Sequence, residues 1–382
     1  MLKRISPIIC HSDFGSVCGE RDGCVTAAVY SSVEQEYQCL RSRVALVDLS
    51  HYAKIKVSGD GAQALIDHVI LTDLARLPIN QLQSTFILGE DGQPLADAFV
   101  ANAGEYFLVL SEGMEPATVV EQLKALAESK FSDVVVSDQT AELGLVGVEG
   151  PYSWELLKSV VGTGIIGTRY LDLVSDQSLD GIAFSLCRAG KSGEYGYMLL
   201  TTGDRVAALW DGLRSRGERF NMLPAGYRAL DLCKLENRFP SQHNEGSKVG
   251  NVLELNTRVL VSAEKGDYLG RDAIEGVIKS GISQRIIGLQ FPESLSAADD
   301  VLGVGAAVSC AGLPIGQLVN VGYSYSLKRW LGLALVRDAY ACVGLDYSVA
   351  ATNGEESGRT VSAPFLFNLS LKIRPQEDSY FN

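Results

Sequence analysis

Lys54-Ile55-Lys56-Val57-Ser58-Gly59-Asp60-Gly61-Ala62-Gln63-Ala64-Leu65-Ile66-Asp67-His68-Val69-Ile70 decides the fold class. Its first five residues alternate in polarity, the two-residue period of a half-buried strand. Gly59-Asp60-Gly61 is a turn. Ala64, Leu65, Ile66, Val69 and Ile70 then recur at helical spacing and make one apolar face. Going outward, Thr85 to Leu88 and Ala98 to Val100 are strands joined by a turn at Glu90-Asp91-Gly92. A further strand, Tyr106 to Leu110, leads to a helix near Ala117 to Ala127.

The order then repeats. Leu143 to Val148 reads as a strand, and Glu149-Gly150-Pro151 as a turn with proline set for the first helical position. Tyr152 to Val161 is a helix. Ile182 to Cys187 and Tyr197 to Leu200 are strands flanking a glycine-rich turn, and Val206 to Leu213 is a helix ended by Gly217. Strand, turn, helix, paired strands and helix, twice over, predict two ferredoxin-like α+β modules side by side. Pro224 to Ile278 holds one clear helix, Ala225 to Glu236. From Arg285 onward, short apolar runs separated by Gly, Ser, Asp and Asn predict a small all-β barrel. The expected division is a domain over 1–280 and a barrel domain over 284–376, with the linker near Lys279 to Gln284.

Composition narrows the function. The 382 residues carry a net charge of −13, with no clustered lysine or arginine run, so nucleic acid is not an expected partner. The longest apolar runs, such as Leu331 to Val336, are far short of the roughly 20 residues that span a bilayer. Met1 to Cys10 has neither an apolar core nor a small-residue cleavage site. The expected location is cytoplasmic, without membrane contact. Four of the eight cysteines lie in the first forty residues, yet no C-x-x-C pair occurs and there are only four histidines. Free thiols are the expectation, and no metal site.

With little imidazole available, chemistry is expected to rest on carboxylates. Asp97 sits among Leu95, Ala96, Ala98, Phe99 and Val100. An acid in such a strand must face solvent, pair, or line a cavity. Glu194 lies in Gly190-Lys191-Ser192-Gly193-Glu194-Tyr195-Gly196-Tyr197. Glycines let a backbone approach a ligand closely, and a carboxylate there can accept two parallel N–H donors. The same stretch also reads as a polar hairpin turn.

Six stretches, in order, resemble the glycine-cleavage T-protein (aminomethyltransferase) family. Asp48-Leu-Ser-His-Tyr-Ala-Lys-Ile55 resembles D-V-S-H-M-G-K-I, and Glu90-Asp-Gly-Gln-Pro-Leu-Ala-Asp97 resembles E-D-G-G-I-I-D-D. Val148-Glu-Gly-Pro151 resembles V-Q-G-P, and Arg188 to Tyr197 resembles R-T-G-Y-T-G-E-D-G-Y. Lys234-Leu-Glu236 resembles R-L-E, and Lys265 to Arg271 resembles K-G-D-F-I-G-R. The resemblance implies a clover-leaf of subdomains around a folate pocket, closed by the barrel. It places Asp97 at the catalytic acid that faces the reacting folate nitrogens. It places Glu194 at a carboxylate gripping the pterin, with Lys234 near the folate and Tyr52 packed beside it.

Departures fall at Ser84, Lys191 and Gln242, where the family has tyrosines, and at Lys234, which lacks the planar fork of an arginine. Related folate-binding proteins of iron–sulfur assembly carry a cysteine where this chain has Asp267. The implied activity is tetrahydrofolate-dependent transfer of a methyl, methylene or aminomethyl group. Its partners would be folate and a small-molecule or carrier-bound one-carbon donor or acceptor. The alternative is a folate-binding accessory protein without turnover.

Overall fold

The computed structural model describes residues 3–11, 17–257, 265–298 and 300–382. The chain opens with β1 (Arg4–Ile5), α1 (Pro7–His11) and the hairpin β2 (Val17–Arg21) and β3 (Cys24–Val29). Asp22 and Gly23 turn that hairpin, both at positive φ, as a two-residue loop between twisted strands requires. Helix α2 (Val33–Ser42), whose N-cap Ser32 hydroxyl accepts from the Gln35 amide, leads into β4 (Ala45–Asp48).

The first module is β5 (Ala53–Ser58), α3 (Ala62–Val69), β6 (Gln81–Leu88), β7 (Pro94–Asn102), β8 (Tyr106–Glu112), α4 (Pro116–Lys130) and β9 (Val135–Asp138). Its sheet runs β6-β7-β8-β5-β9. The second module is β10 (Leu143–Glu149), α5 (Ser153–Val161), β11 (Leu173–Leu179), β12 (Ile182–Cys187), β13 (Gly196–Thr202), α6 (Val206–Gly217) and β14 (Leu223–Ala225). Its sheet runs β11-β12-β13-β10-β4-β14, so β4 is inserted from outside the repeat and pairs with β14 in parallel. Pro151 stays in the turn, two residues before the helix begins. The helix expected from Ala225 begins at Tyr227 as α7 (Tyr227–Asn237), because Leu223–Ala225 is taken into the sheet.

Helix α8 (Arg271–Ser280) precedes the barrel, so the expected linker starts inside a helix. The barrel is closed in the order β15-β18-β17-β16-β19-β20, from β15 (Gln284–Gln290), β16 (Ala307–Cys310), β17 (Leu313–Ser324), β18 (Arg329–Arg337), β19 (Asp346–Ala351) and β20 (Gly354–Val361). The fold is therefore the expected α+β pair of sheets with a C-terminal barrel.

The central strands of the two module sheets are buried on both faces, and strand parity sorts their residues. In β7, Ala96, Ala98 and Val100 pack with the α3 and α4 layer, whereas Phe99 and Ala101 join the central core. In β8, Val109 takes the helix side and Leu108 and Leu110 the centre. In β10 and β13, Leu145 and Met198 face the centre while Val146 and Leu199 pack on the α5 and α6 side. Barrel strand β18 sends Leu331, Leu333 and Leu335 to that same core and Ala334 and Val336 into the barrel. Two-sided burial explains why Leu331 to Val336 is a continuous apolar run.

Candidate active site

Parity places two carboxylates in the central layer. Asp97 shares the face of Phe99 and Ala101, and Glu112 that of Leu108 and Leu110. Asp97 and Glu112 are directly paired across β7 and β8, so their side chains leave the sheet side by side. Neither meets solvent: Asp97 is 3% exposed and Glu112 1%. Buried ionised groups are costly unless paired. Each of these has an ammonium partner.

Glu112 is held from several directions. Lys234 Nζ lies 2.7 Å from Oε1, and the Tyr52 hydroxyl donates to the same oxygen at 2.9 Å. His51 Nε2 stands 3.5 Å from Oε2 and His243 Nε2 4.0 Å from it. Burial works to raise the Glu112 carboxyl, but Lys234 and His51 outweigh it and hold the group well below the usual carboxylate range. Burial tends to discharge Lys234, yet Glu112 and Asp231 keep it firmly protonated. The Tyr52 hydroxyl is pushed far up by burial and by Glu112, so it remains a hydrogen-bond donor.

Asp97 is held from one side. Lys191 Nζ bonds Oδ1, while Oδ2 is buried with no partner among the described residues. Burial raises the Asp97 carboxyl, and Glu112 adds to the effect. The Lys191 ammonium opposes the rise without cancelling it. The Lys191 ammonium also lies 5.0 Å from the centre of the Phe99 ring, a favourable cation–π arrangement.

The glycine-rich loop carries Lys191 to that position. Glu149, at the end of β10, accepts from the Lys191 amide at 3.0 Å and the Ser192 amide at 3.2 Å, pinning the loop from below. A Cβ on Gly190 would come within 2.6 Å of the Glu149 carboxylate, so the loop closes only without a side chain there. Gly193, at φ +86°, passes Asn237 just as tightly.

Glu194, three residues on, is turned to a different neighbourhood. Its Oε1 accepts from the Leu369 amide at 3.1 Å and its Oε2 from the Ser370 amide at 2.7 Å, with Arg41 at 3.6 Å. The two parallel N–H donors expected of a ligand are here supplied by the chain's own C-terminal segment. Arg41 in turn bonds Glu236, the Ser192 carbonyl and Asn368. Of the four residues named from the sequence, Tyr52 and Lys234 converge with Asp97 around Glu112, and Glu194 does not.

The sequence reading left four central groups without a role: Glu112, Glu149, His51 and His243. Glu112 carried a usable signal, since it continues the parity of Leu108 and Leu110 beyond the end of the apolar run. Glu149 and His51 lay inside quoted motifs but had nothing local to mark them. Among the departures, Lys191 fills the centre and Gln242 packs where a Cβ on Gly113 would stand. Asp267 is 83% exposed and lies 3.7 Å from His68, outside the centre. Among the described residues, no group of three His, Cys, Asp or Glu is arranged to hold a metal, and no helix is long and apolar enough to cross a membrane.

A cavity of about 650 Å³ lies between α7 and the barrel, lined by Arg228, Asp231, Asn244, Tyr323, Tyr325 and Trp330 among others. Asp231 Oδ1 is 3.7 Å from Lys234 Nζ, so this cavity comes within one side chain of the buried cluster.

Known proteins agree with this architecture. A crystal structure of the glycine cleavage system aminomethyltransferase T from Bartonella henselae superposes with a TM-score of 0.80 over 96% of this chain and 98% of that one, at 20% identity. Curated aminomethyltransferases are similar in sequence. That of Symbiobacterium thermophilum is 28% identical over 342 residues, covering 88% of this chain and 90% of its own. That of Geobacillus sp. strain WCH70 is 23% identical over 368 residues, covering 96% and 99%. The GCVT N-terminal domain model matches residues 9–265, well over half of the chain. With both modules, the barrel and the ordered motifs in place, the chain belongs to the GCVT (glycine-cleavage T-protein) family.

Proposed function

We propose that this protein is a tetrahydrofolate-dependent transferase that moves a methyl, methylene or aminomethyl group to or from a small-molecule or carrier-bound substrate. The observation that carries the reading is the Asp97 carboxylate. It is buried at the junction of the modules in a GCVT-family chain, and Oδ2 is left without a partner among the described residues. Buried polar atoms are nearly always satisfied, and the exceptions concentrate at functional positions.

Tetrahydrofolate, when bound, supplies the nitrogens that carry the one-carbon unit. The centre suits such a group: in the ionised form Asp97 Oδ2 accepts from heterocyclic N–H groups, as does the buried Gln242 Oε1, which has no partner among the described residues. Asp97 offers preorganised negative charge where positive charge develops, in a setting too dry for water to screen it. Lys191 on Oδ1 already spends part of that charge. Tyr52 and Lys234 are locked by Glu112, so the wall beside Asp97 is rigid and orients what binds there.

Glu194 is read as a structural anchor. It ties the glycine-rich loop to the C-terminal segment, while Glu149 holds the Lys191 end of the loop. The cavity beside α7 is the route by which the second substrate reaches the cluster.

The test is incubation with tetrahydrofolate and a panel of methylated and aminomethylated donors, including a lipoyl carrier, with the folate species read by mass spectrometry. A 5-methyl or 5,10-methylene product that disappears in Asp97→Ala is expected. If Asp97→Ala turns over at the wild-type rate, the mechanism is wrong. Folate binding without product from any donor would leave the accessory-protein reading.

A further inference from the structure

The two central carboxylates are placed as a pair but furnished unequally. Glu112 faces Lys234 of α7, the Tyr52 hydroxyl and His51 from the segment between β4 and β5, and His243 from the segment after α7. Behind these stand Asp231, beside Lys234, and Asp22, which lies 3.3 Å from His243 and accepts from the Gly113 amide at 3.0 Å. Asp97 is bonded by Lys191 of the glycine-rich loop, feels Glu112 beside it and Lys234 beyond, and has one oxygen with no hydrogen-bond partner among the described residues.

Two carboxylates opposed across neighbouring strands cannot both ionise freely, and a proton entering the pair goes to the member with fewer donors. We propose that Glu112 is a positioning residue that acts through Asp97: it is the standing anion of the pair and keeps the exchangeable proton on Asp97 Oδ2. This rests on the one-carbon transfer proposed above and refines the charge given there to Asp97. Glu112 supplies the permanent negative charge, and Asp97 changes protonation as charge develops beside it. Burial and Glu112 both raise the Asp97 carboxyl, while Lys234 and His51 hold Glu112 down, in agreement with that division.

The decisive measurement does not need turnover. The full chain is labelled with ¹³C at the aspartate carboxyls, and the Asp97 signal is assigned by its loss in Asp97→Asn. The wild-type signal is expected to titrate above the ordinary aspartate range and to move to lower pH in Glu112→Gln. Glu112→Asp, which keeps the charge, is expected to restore the wild-type midpoint. Should Glu112→Gln fail to fold because buried Lys234 keeps only the more distant Asp231 as a partner, the double variant Glu112→Gln/Lys234→Gln removes both charges. It is expected to show a smaller shift of the same sign, since Glu112 influences Asp97 more strongly than Lys234 does.

In the active enzyme, the limb of the pH–rate profile that vanishes in Asp97→Asn should move with the titration. A merely structural Glu112 would lower stability and rate but leave both midpoints in place, and that result overturns the proposal. A wild type that makes no folate product refutes the transferase reading. The titration still decides the role of Glu112.

Discussion

Asp97 and Glu194 are both buried carboxylates beside the same glycine-rich loop, yet the fold treats them in opposite ways. Glu194 is saturated: two backbone amides and Arg41 use both oxygens. Among the described residues, Asp97 has one ion pair and one oxygen without a partner, next to a second carboxylate. A buried acid whose hydrogen-bonding capacity is spent on its own chain stabilises the fold, whereas one with capacity left over can act on a ligand. The lesson is that local sequence context identifies loops a ligand could visit. Only the inventory of donors around each oxygen says which acid is still available.

The comparison can be broken most directly at Asp97. Asp97→Asn keeps the shape and removes the charge. It is expected to cut the rate of folate product formation by about 10²–10³-fold, the usual loss for a preorganised electrostatic group. Steady-state rates alongside an unchanged circular dichroism spectrum check this. Glu194→Ala should do the reverse. Two amides and Arg41 lose a charged acceptor, at a cost of about 3 kcal/mol, seen as a lower midpoint in urea, while kcat of the folded fraction changes little. Should the variant instead keep its stability and lose folate affinity, Glu194 is a pterin ligand and the contrast drawn above collapses.

A pH series sharpens the comparison further. The Glu112 carboxyl is depressed in the folded protein because Lys234 and His51 overcome its burial. Its contribution to stability is therefore complete above the unfolded value of about 4.3 and lost as pH falls through the lower folded value. The stability gap between wild type and Glu112→Gln should be widest at neutral pH and close in acid, as urea titrations at stepped pH will show. The smallest effect is expected for Tyr52→Phe. Losing the hydroxyl donated to Glu112 costs about 1 kcal/mol, visible as a modest fall in thermal midpoint. An unaltered midpoint would mean that the hydroxyl does not help to hold Glu112.

Periodicity and turn residues were enough to read the two modules with their four helices, the barrel and α7, but not α1, α2 or α8. Local patterns specify local elements, and the elements of a repeat unit are mostly neighbours in the chain. Ala45–Asp48 escaped that reading. Its strand lies ahead of the first module but completes the sheet of the second, and no local feature encodes a pairing with residues 100 positions away. The same limit applied to the site. The ordered motifs pointed to Asp97, Glu194, Tyr52 and Lys234, and strand parity could have added Glu112. That Lys191 reaches Asp97, that Glu149 pins the loop, and that Leu369 and Ser370 claim Glu194 were decided by tertiary structure alone. Sequence determines which side of a strand a carboxylate leaves from, because backbone geometry is local. Which donors and charges meet it there depends on segments far apart in the chain, and those contacts fix whether the acid holds the fold together or remains free for chemistry.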